Sequence, residues 1–391
     1  MRISRLVACV IAFAFAGQCL ADPAKPPIRI VSTPNPSVLP LLLAMANHPD
    51  LPVQLEPVGQ GSEIGKAFSR GGAEGLVSMT WVAALQAIRG VAPDLRLVSV
   101  DYWRGFFTLA PSSAHLSRLA DLGGRNLLIS GPVGGGRDGG PDLLFQALMK
   151  RQGFDPSRHS ENTVQITLGG DRISVIRRVY PSGNFIVYYL PAMEAAKVLV
   201  SGAKLDDGSG IPERSLPASA LFMADPAASG IVMEGRMQGA SMEKIIDVQS
   251  AFSGFSGWRE GELPLGGLSL RAAVLADPSR AGDAHRIVEA YEEAAEEIMA
   301  ARGRPFRMMR VASAISAGVQ KYYGQYGMRL PVMVLASALR NGDLIYRTDI
   351  KVGDMIPDLE RFDEEMTGSA PPASFYAGGN SGSAFIRSPS T

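Results

Sequence analysis

The sequence predicts an α/β fold. Short runs of aliphatic and β-branched residues alternate with apolar stretches of helical spacing, and the connections between them are short. That pattern belongs to parallel strands joined by crossover helices. The alternation restarts near Leu119 and resumes in the last third of the chain. The 391 residues suffice for about two to three domains, or for one fold of two similar lobes. With 46% hydrophobic and 19% charged residues the chain is not intrinsically disordered. The balance of 38 basic and 38 acidic side chains provides no global field for nucleic acid. The 43 glycines and 27 prolines follow no triplet period, which excludes collagen.

The first 21 residues read as a secretory signal peptide. Arg2 and Arg5 precede an apolar run from Leu6 to Phe15, and Cys19-Leu20-Ala21 places the cut after about Ala21. The run is short for a membrane span. Cys19 also leaves open a lipoprotein cut, although Gln18 stands where a small residue is expected. Both cysteines, Cys9 and Cys19, leave with the leader. The mature chain then has no disulfide, thiol nucleophile or cysteine-ligated metal.

After a linker at 22–27, residues 28–31 form a compact strand, 32–37 a polar loop and 38–46 an apolar helix. Residues 53–58 alternate as a strand, Gly59-Gln60-Gly61-Ser62 turns the chain into a helix over 63–69, and 75–79 form a third strand. Thr80 caps a helix over 81–88, and 95–100 form a fourth strand. The second unit has a connector at 119–125, a strand over 126–130, a glycine loop, and a helix from Pro141 to about Gln152 that Gly153 stops. Strands follow at 164–168 and 185–189, a helix at 192–200, a Gly/Asp/Pro/Ser-rich surface loop at 203–217, and an apolar run at 218–223. The last third begins with a strand at 268–275. A long acidic helix follows, its buried face marked by Ile287, Val288, Tyr291, Ala295, Ile298 and Met299. Helices are expected at 311–319 and 332–339, and a disordered tail from about Thr367.

The phrase LADLGGRNLLISGPVGGGRDGGPDLLFQALMKRQGFDP at 119–156 resembles the periplasmic substrate-binding proteins of ABC importers, in particular the sulfonate/nitrate/thiamine-precursor group. AMEAAKVLVSG at 192–202, ADPAASGIVMEG at 224–235 and the helix within 273–299 are similar to later motifs of that group, in the same order. Departures are Asp225, where Glu is usual, and additional residues at 169–184 and 203–217. The resemblance implies the two-lobed type II periplasmic-binding-protein fold, each lobe a mostly parallel sheet flanked by helices, with a ligand cleft between lobes. It places lobe 1 at 28–108 and 260–361, lobe 2 at 109–259, and the tail at 367–391. Open parallel sheets bind ligands beyond the carboxyl ends of their strands. Helix N-termini present free N–H groups there.

The strand–loop–helix at 130–140 is the sharpest candidate site. Ser130, Gly131 and Gly135 allow close backbone approach to an anionic or carbonyl group, and Arg137 adds a charge-assisted pair. A ligand-free surface loop is the alternative reading. Gly134, Gly136 and Gly139 fit G-x-G-x-x-G, but the setting of a dinucleotide fold is missing. Ser32, Thr33 and Asn35 follow the first strand and either contact a ligand or cap the next helix. Gln60 and Gly61 offer an amide and a close backbone approach. Thr80 and Trp81 follow the third strand, as ligand contacts or as cap and core. Tyr188 and Tyr189 end a strand, stacking on a ligand or packing in the core. Asp225 accepts from a ligand amine or caps a helix. Tyr322, Tyr323 and Tyr326 read as packing residues.

No catalytic residues are assigned. His48, His115, His159 and His285 are widely spaced, so no metal site is expected, and no cofactor is indicated. Ser241 and Lys244 fit S-x-x-K, but K-T-G is absent. The resemblance implies a monomeric periplasmic protein that captures a small molecule or anion and delivers it to an ABC permease, with no nucleic-acid partner. A ligand-sensing subunit of the same fold is the alternative. A pyrimidine-synthesising enzyme relative is disfavoured by the missing thiols.

Overall fold

The computed structural model describes residues 25–59, 61–131, 139–201, 203–206, 214–216, 218–252 and 254–378. The expected signal peptide and the centre of the glycine loop lie outside the described residues. Chain order begins β1 (Ile28–Ser32), α1 (Val38–Asn47), β2 (Val53–Pro57), α2 (Gly61–Ser69), β3 (Gly75–Ser78), α3 (Thr80–Ile88) and β4 (Leu95–Arg104). It continues with β5 (Phe106–Pro111), β6 (Asn126–Gly131), α4 (Gly140–Arg151), β7 (Ser160–Leu168), β8 (Asp171–Tyr180), β9 (Phe185–Pro191) and α5 (Ala192–Ser201). Then come β10 (Ala203–Asp206), β11 (Arg214–Leu216), β12 (Ala218–Ala224), α6 (Ala227–Met237) and β13 (Met242–Asp247). The last third adds β14 (Gly266–Arg271), α7 (Ala272–Ala276), α8 (Ala281–Ala300), α9 (Pro305–Tyr323), α10 (Val332–Asn341), β15 (Ile345–Tyr346) and α11 (Ile356–Thr367).

Two sheets organise these elements. The first runs β15-β4-β14-β3-β1-β2 and the second β11-β10-β7-β8-β9-β6-β12-β5-β13. Both are mixed rather than mostly parallel. Parallel pairing holds β1 to β2 and β3, and β6 to β9 and β12. The remaining ladders are antiparallel because their strands arrive through hairpins or through chain crossing between sheets. The β7–β8 hairpin turns at Gly169 (φ 62°) and Gly170 (φ 98°), a backbone that favours glycine at both central positions. This hairpin carries most of the extra material at 169–184.

The chain passes from the first sheet to the second through Gly105 and returns after β13. Gln249 ties the two crossings together. Its Oε1 accepts from the Phe106 N–H (2.7 Å), and its Nε2 donates to the Phe106 carbonyl (3.0 Å) and to Asp247 Oδ1 (2.7 Å). Arg104 and Asp247 pair across the same junction. One large apolar core fills the first sheet's helical layers and extends to Phe145, Phe185 and Phe222. A smaller one around Val198, Leu221 and Ile231 covers the second sheet's other face.

The structure revises several expected boundaries. The strand expected at 268–275 ends at Arg271 and becomes α7. The surface loop expected at 203–217 contains β10 and β11, which extend the sheet from β7. The tail expected from Thr367 is anchored as far as the described residues reach. Phe375 and Tyr376 are buried, and the Tyr376 hydroxyl donates to Asp363 Oδ2 (2.8 Å). These two rings supply the burial that the surrounding Ser, Gly, Ala and Pro lack.

Candidate functional site

β1, β2 and β3 run parallel and end at Ser32, Pro57 and Ser78. β6, β9 and β12 do the same in the second sheet, ending at Gly131, Pro191 and Ala224. A cavity of about 1070 Å³ lies beyond both sets of carboxyl ends. Each of these strands leads into a helix whose first turn or leading loop borders it: Asn35 before α1, Ser62 in α2, Met79 before α3, Pro141 in α4, Met193 in α5 and Ala227 in α6. The start of α10 joins them through Pro331 and Met333. Seven helix N-termini therefore surround one space. Each contributes the partial positive end of its helix dipole, although local carbonyls and the Asn35 and Asp225 side chains already pair several of the first N–H groups.

The first-sheet wall is shaped by local hydrogen bonds. Asn35 Oδ1 accepts from the Ser37 N–H (2.9 Å), and its Nδ2 donates to the Thr33 carbonyl (2.8 Å). This Asx turn sets the loop that enters α1. Ser32 is fully buried with its Oγ 2.8 Å from both the Thr33 and the Val77 carbonyl oxygens, which share its one proton, so its hydroxyl holds the strand end. Thr33, Asn35 and Gly61 border the cavity. Tyr323 is fully buried in the core and borders the cavity. It is the one aromatic residue among the described lining residues.

On the second-sheet side, Asp225 borders the cavity yet is almost completely buried. Its Oδ1 accepts from the Ser229 N–H in the first turn of α6 (2.9 Å), and Lys244 Nζ lies 2.6 Å from its Oδ2. Burial pushes its carboxyl above the usual range, and the Lys244 ammonium opposes that shift. Asp225 thus performs the capping role and an ion-pair role. Lys244, the last residue of the S-x-x-K string, is committed there, and Ser241 Oγ lies 2.8 Å from Ser112 Oγ.

Other expected contacts lie elsewhere. Thr80 Oγ1 donates to the Pro264 carbonyl (2.7 Å). Trp81 is fully buried, donates from Nε1 to the Gly140 carbonyl (3.2 Å) and meets Phe362 edge-on. Tyr188 packs in the smaller core. Tyr189 donates its hydroxyl to Asp142 Oδ1 (2.7 Å), and Asp142 is ion-paired with Arg178 (3.1 Å). Trp81 and Tyr189 support the wall from behind, because their polar tips find buried partners there. Ser130 and Gly131 end β6. Gln60, Gly135 and Arg137 lie outside the described residues. Among the described residues, no group of three His, Cys, Asp or Glu is placed to hold a metal ion.

Methionine is the feature that sequence reading did not single out. Met79, Met193, Met223, Met233, Met237, Met328 and Met333 all border the cavity, out of 16 in the chain. Only the spacing of Met233 and Met237, one helical turn apart, hints at a shared face in sequence.

Solved structures with this architecture cover nearly the whole chain. The periplasmic aliphatic sulphonate binding protein SsuA of Escherichia coli superposes with a TM-score of 0.54 at 11% identity, over 88% of this chain and 86% of that one. The chain has the periplasmic-binding-protein fold. A ligand-binding component of an ABC-type import system of Staphylococcus aureus, with zinc bound, gives 0.55 at 13% identity over 90% and 96% of the two chains. The periplasmic nitrate-binding protein NrtA of Synechocystis PCC 6803 gives 0.51 at 10% identity over 81% and 70%. No family model and no curated protein matches the sequence.

Proposed function

We propose that this chain is the periplasmic solute-binding component of an ABC importer. It captures a small organic molecule or anion between its two sheets and delivers it to membrane permease subunits driven by a separate ATPase. One observation carries the reading: two parallel strand sets, on two sheets joined by two chain crossings, aim their carboxyl ends and helix N-termini into a single cavity. A solute held there touches both sheets. Contacts made from both sides exist only when the walls approach, which gives the ligand higher affinity for the closed state and drives closure. The sequence-based leader, cut after about Ala21, supplies export. The bulk of the likeness to import-system binding proteins, at low identity, supports the same role. Native mass spectrometry of freshly purified mature protein tests it. The expected result is a co-purifying small molecule that is released chemically unchanged and whose return lowers the radius of gyration in solution scattering. Turnover of that molecule by the isolated chain would replace the binding role with an enzymatic one.

A further inference from the structure

We infer that the solute is a long-chain organic anion, with one acidic head and an aliphatic body of roughly ten or more carbons. This deepens the solute-binding reading and rests on it. The cavity of about 1070 Å³ sits at the upper end of the range for small-molecule sites, far larger than an inorganic or one-carbon anion requires. Its walls are mostly apolar, with polar side chains such as Asn35, Ser62 and Gln86 between the aliphatic ones. Met79, Met328 and Met333 come from the first-sheet side, and Met193, Met223, Met233 and Met237 from the second. Thioether side chains have three rotatable bonds and repack around flexible hydrocarbon. Five large hydrophobic side chains are strongly exposed among the described residues, and three of them, Met193 (56%), Met237 (81%) and Met333 (53%), border this one cavity. Exposed apolar surface gathered at a concave site marks a binding surface. Tyr323 is the only ring on the described lining, so a planar heteroaromatic would find no pair of stacking faces.

The charge pattern selects the head group. Asp225 is buried and shares the Lys244 ammonium with Asp343, and Glu234 is exposed to solvent and accepts from Gln238 (3.1 Å). Arg89 and Arg329 stand exposed on the cavity border, and among the described residues neither is ion-paired. Together with the helix N-termini they favour one negative charge. The aliphatic body then lies along the methionines.

Calorimetry on the full mature protein, stripped of bound solute, tests this with the n-alkyl carboxylates from butyrate to laurate, and with dodecanesulfonate as the second head group. The expected result is an affinity that rises about fourfold per added methylene until the cavity fills. Comparing laurate with dodecanesulfonate then identifies the acid. The exposed-site variants Met193→Gln and Met237→Gln should each weaken laurate about five- to tenfold and butyrate much less. Affinity that is flat or falls with chain length, alongside tight binding and compaction with a short polar solute such as nitrate or methanesulfonate, would overturn the ligand class while leaving the binding role standing. If neither these probes nor the extracted solute compacts the protein, both readings fail.

Discussion

Lys244 Nζ lies 2.7 Å from Asp343 Oδ2 and 2.6 Å from Asp225 Oδ2. One ammonium thus links β13 of the second sheet to the turn after α10, beside the cavity. Asp225 has no exposed side-chain surface, so its charge depends on this partner. Replacing Lys244 by Met should cost about 3–5 kcal/mol in urea unfolding, because it leaves a buried charge uncompensated. Adding Asp225→Asn should recover most of that loss, since the Asn oxygen still accepts from the Ser229 N–H. Equal stability of the single and double variants would show that the pair contributes little.

Asp363 is fully buried in α11, with Tyr376 donating to it. Burial pushes its carboxyl up to about 7, and the Tyr376 hydrogen bond only partly opposes this. The folded state therefore holds a proton that the unfolded chain releases near pH 4. Folding stability from this group is fully present below that unfolded value and is lost as pH rises toward about 7, by a few kcal/mol. Asp363→Asn mimics the protonated acid and should flatten that part of the profile. Chemical denaturation of both proteins between about pH 4 and 8 reads the difference. Parallel profiles would place the proton elsewhere.

Tyr189 and Arg178 grip Asp142 from two sides, directly behind the first turn of α4. Burial and the neighbouring Asp142 charge hold the Tyr189 hydroxyl well above its ordinary value, so it remains a donor at every working pH. Tyr189→Phe removes one bond to a buried carboxylate and should cost about 1–3 kcal/mol. Ligand affinity should change little, because the hydroxyl points away from the cavity and into this network. A large affinity loss with unchanged stability would return Tyr189 to the ligand.

The parallel heart of each sheet was readable from sequence, because β1, β3, β6 and β9 are short, largely apolar runs, β2 alternates, and each is followed by helical spacing. β5 and β13 were not. FFTLAP follows β4 after a single glycine, and MEKIID carries three charges in six residues, Glu243, Lys244 and Asp247, so neither run stands out from its surroundings. β5 owes its strand state to pairing with β12 on one side and β13 on the other, and β13 to pairing with β5. The site was half legible. Asn35, Thr33 and Asp225 follow strand ends and reach the cavity border, as connectivity alone requires. Trp81 follows a strand end and Tyr189 lies two residues before one, yet both turn inward, since a ring gains more from a dry core that also satisfies its N–H or O–H. The methionines were illegible because each, read alone, is an ordinary core residue. Only the meeting of two sheets from distant segments collects them.

Met79 reaches across the cavity's edge to Gly140, where a Cβ would stand 2.1 Å from its Sδ and 3.5 Å from Val82 Cγ2. The absence of a side chain at the start of α4 is what lets the two sheets approach, and the Trp81 Nε1 bond to the Gly140 carbonyl marks the same contact. Gly140→Ala is compatible with a helix's first turn, so its effect falls on this approach. Met79 must rotate into the cavity or the walls must part, at about 1–3 kcal/mol of overpacking. The expected result is a larger radius of gyration without ligand and roughly tenfold weaker binding, since 1.4 kcal/mol of closure is one decade in affinity. Met79→Ala in the same chain opens the space again and should restore compaction. If the double variant stays as expanded as the single one, the defect lies in α4 itself and the contact does not control closure.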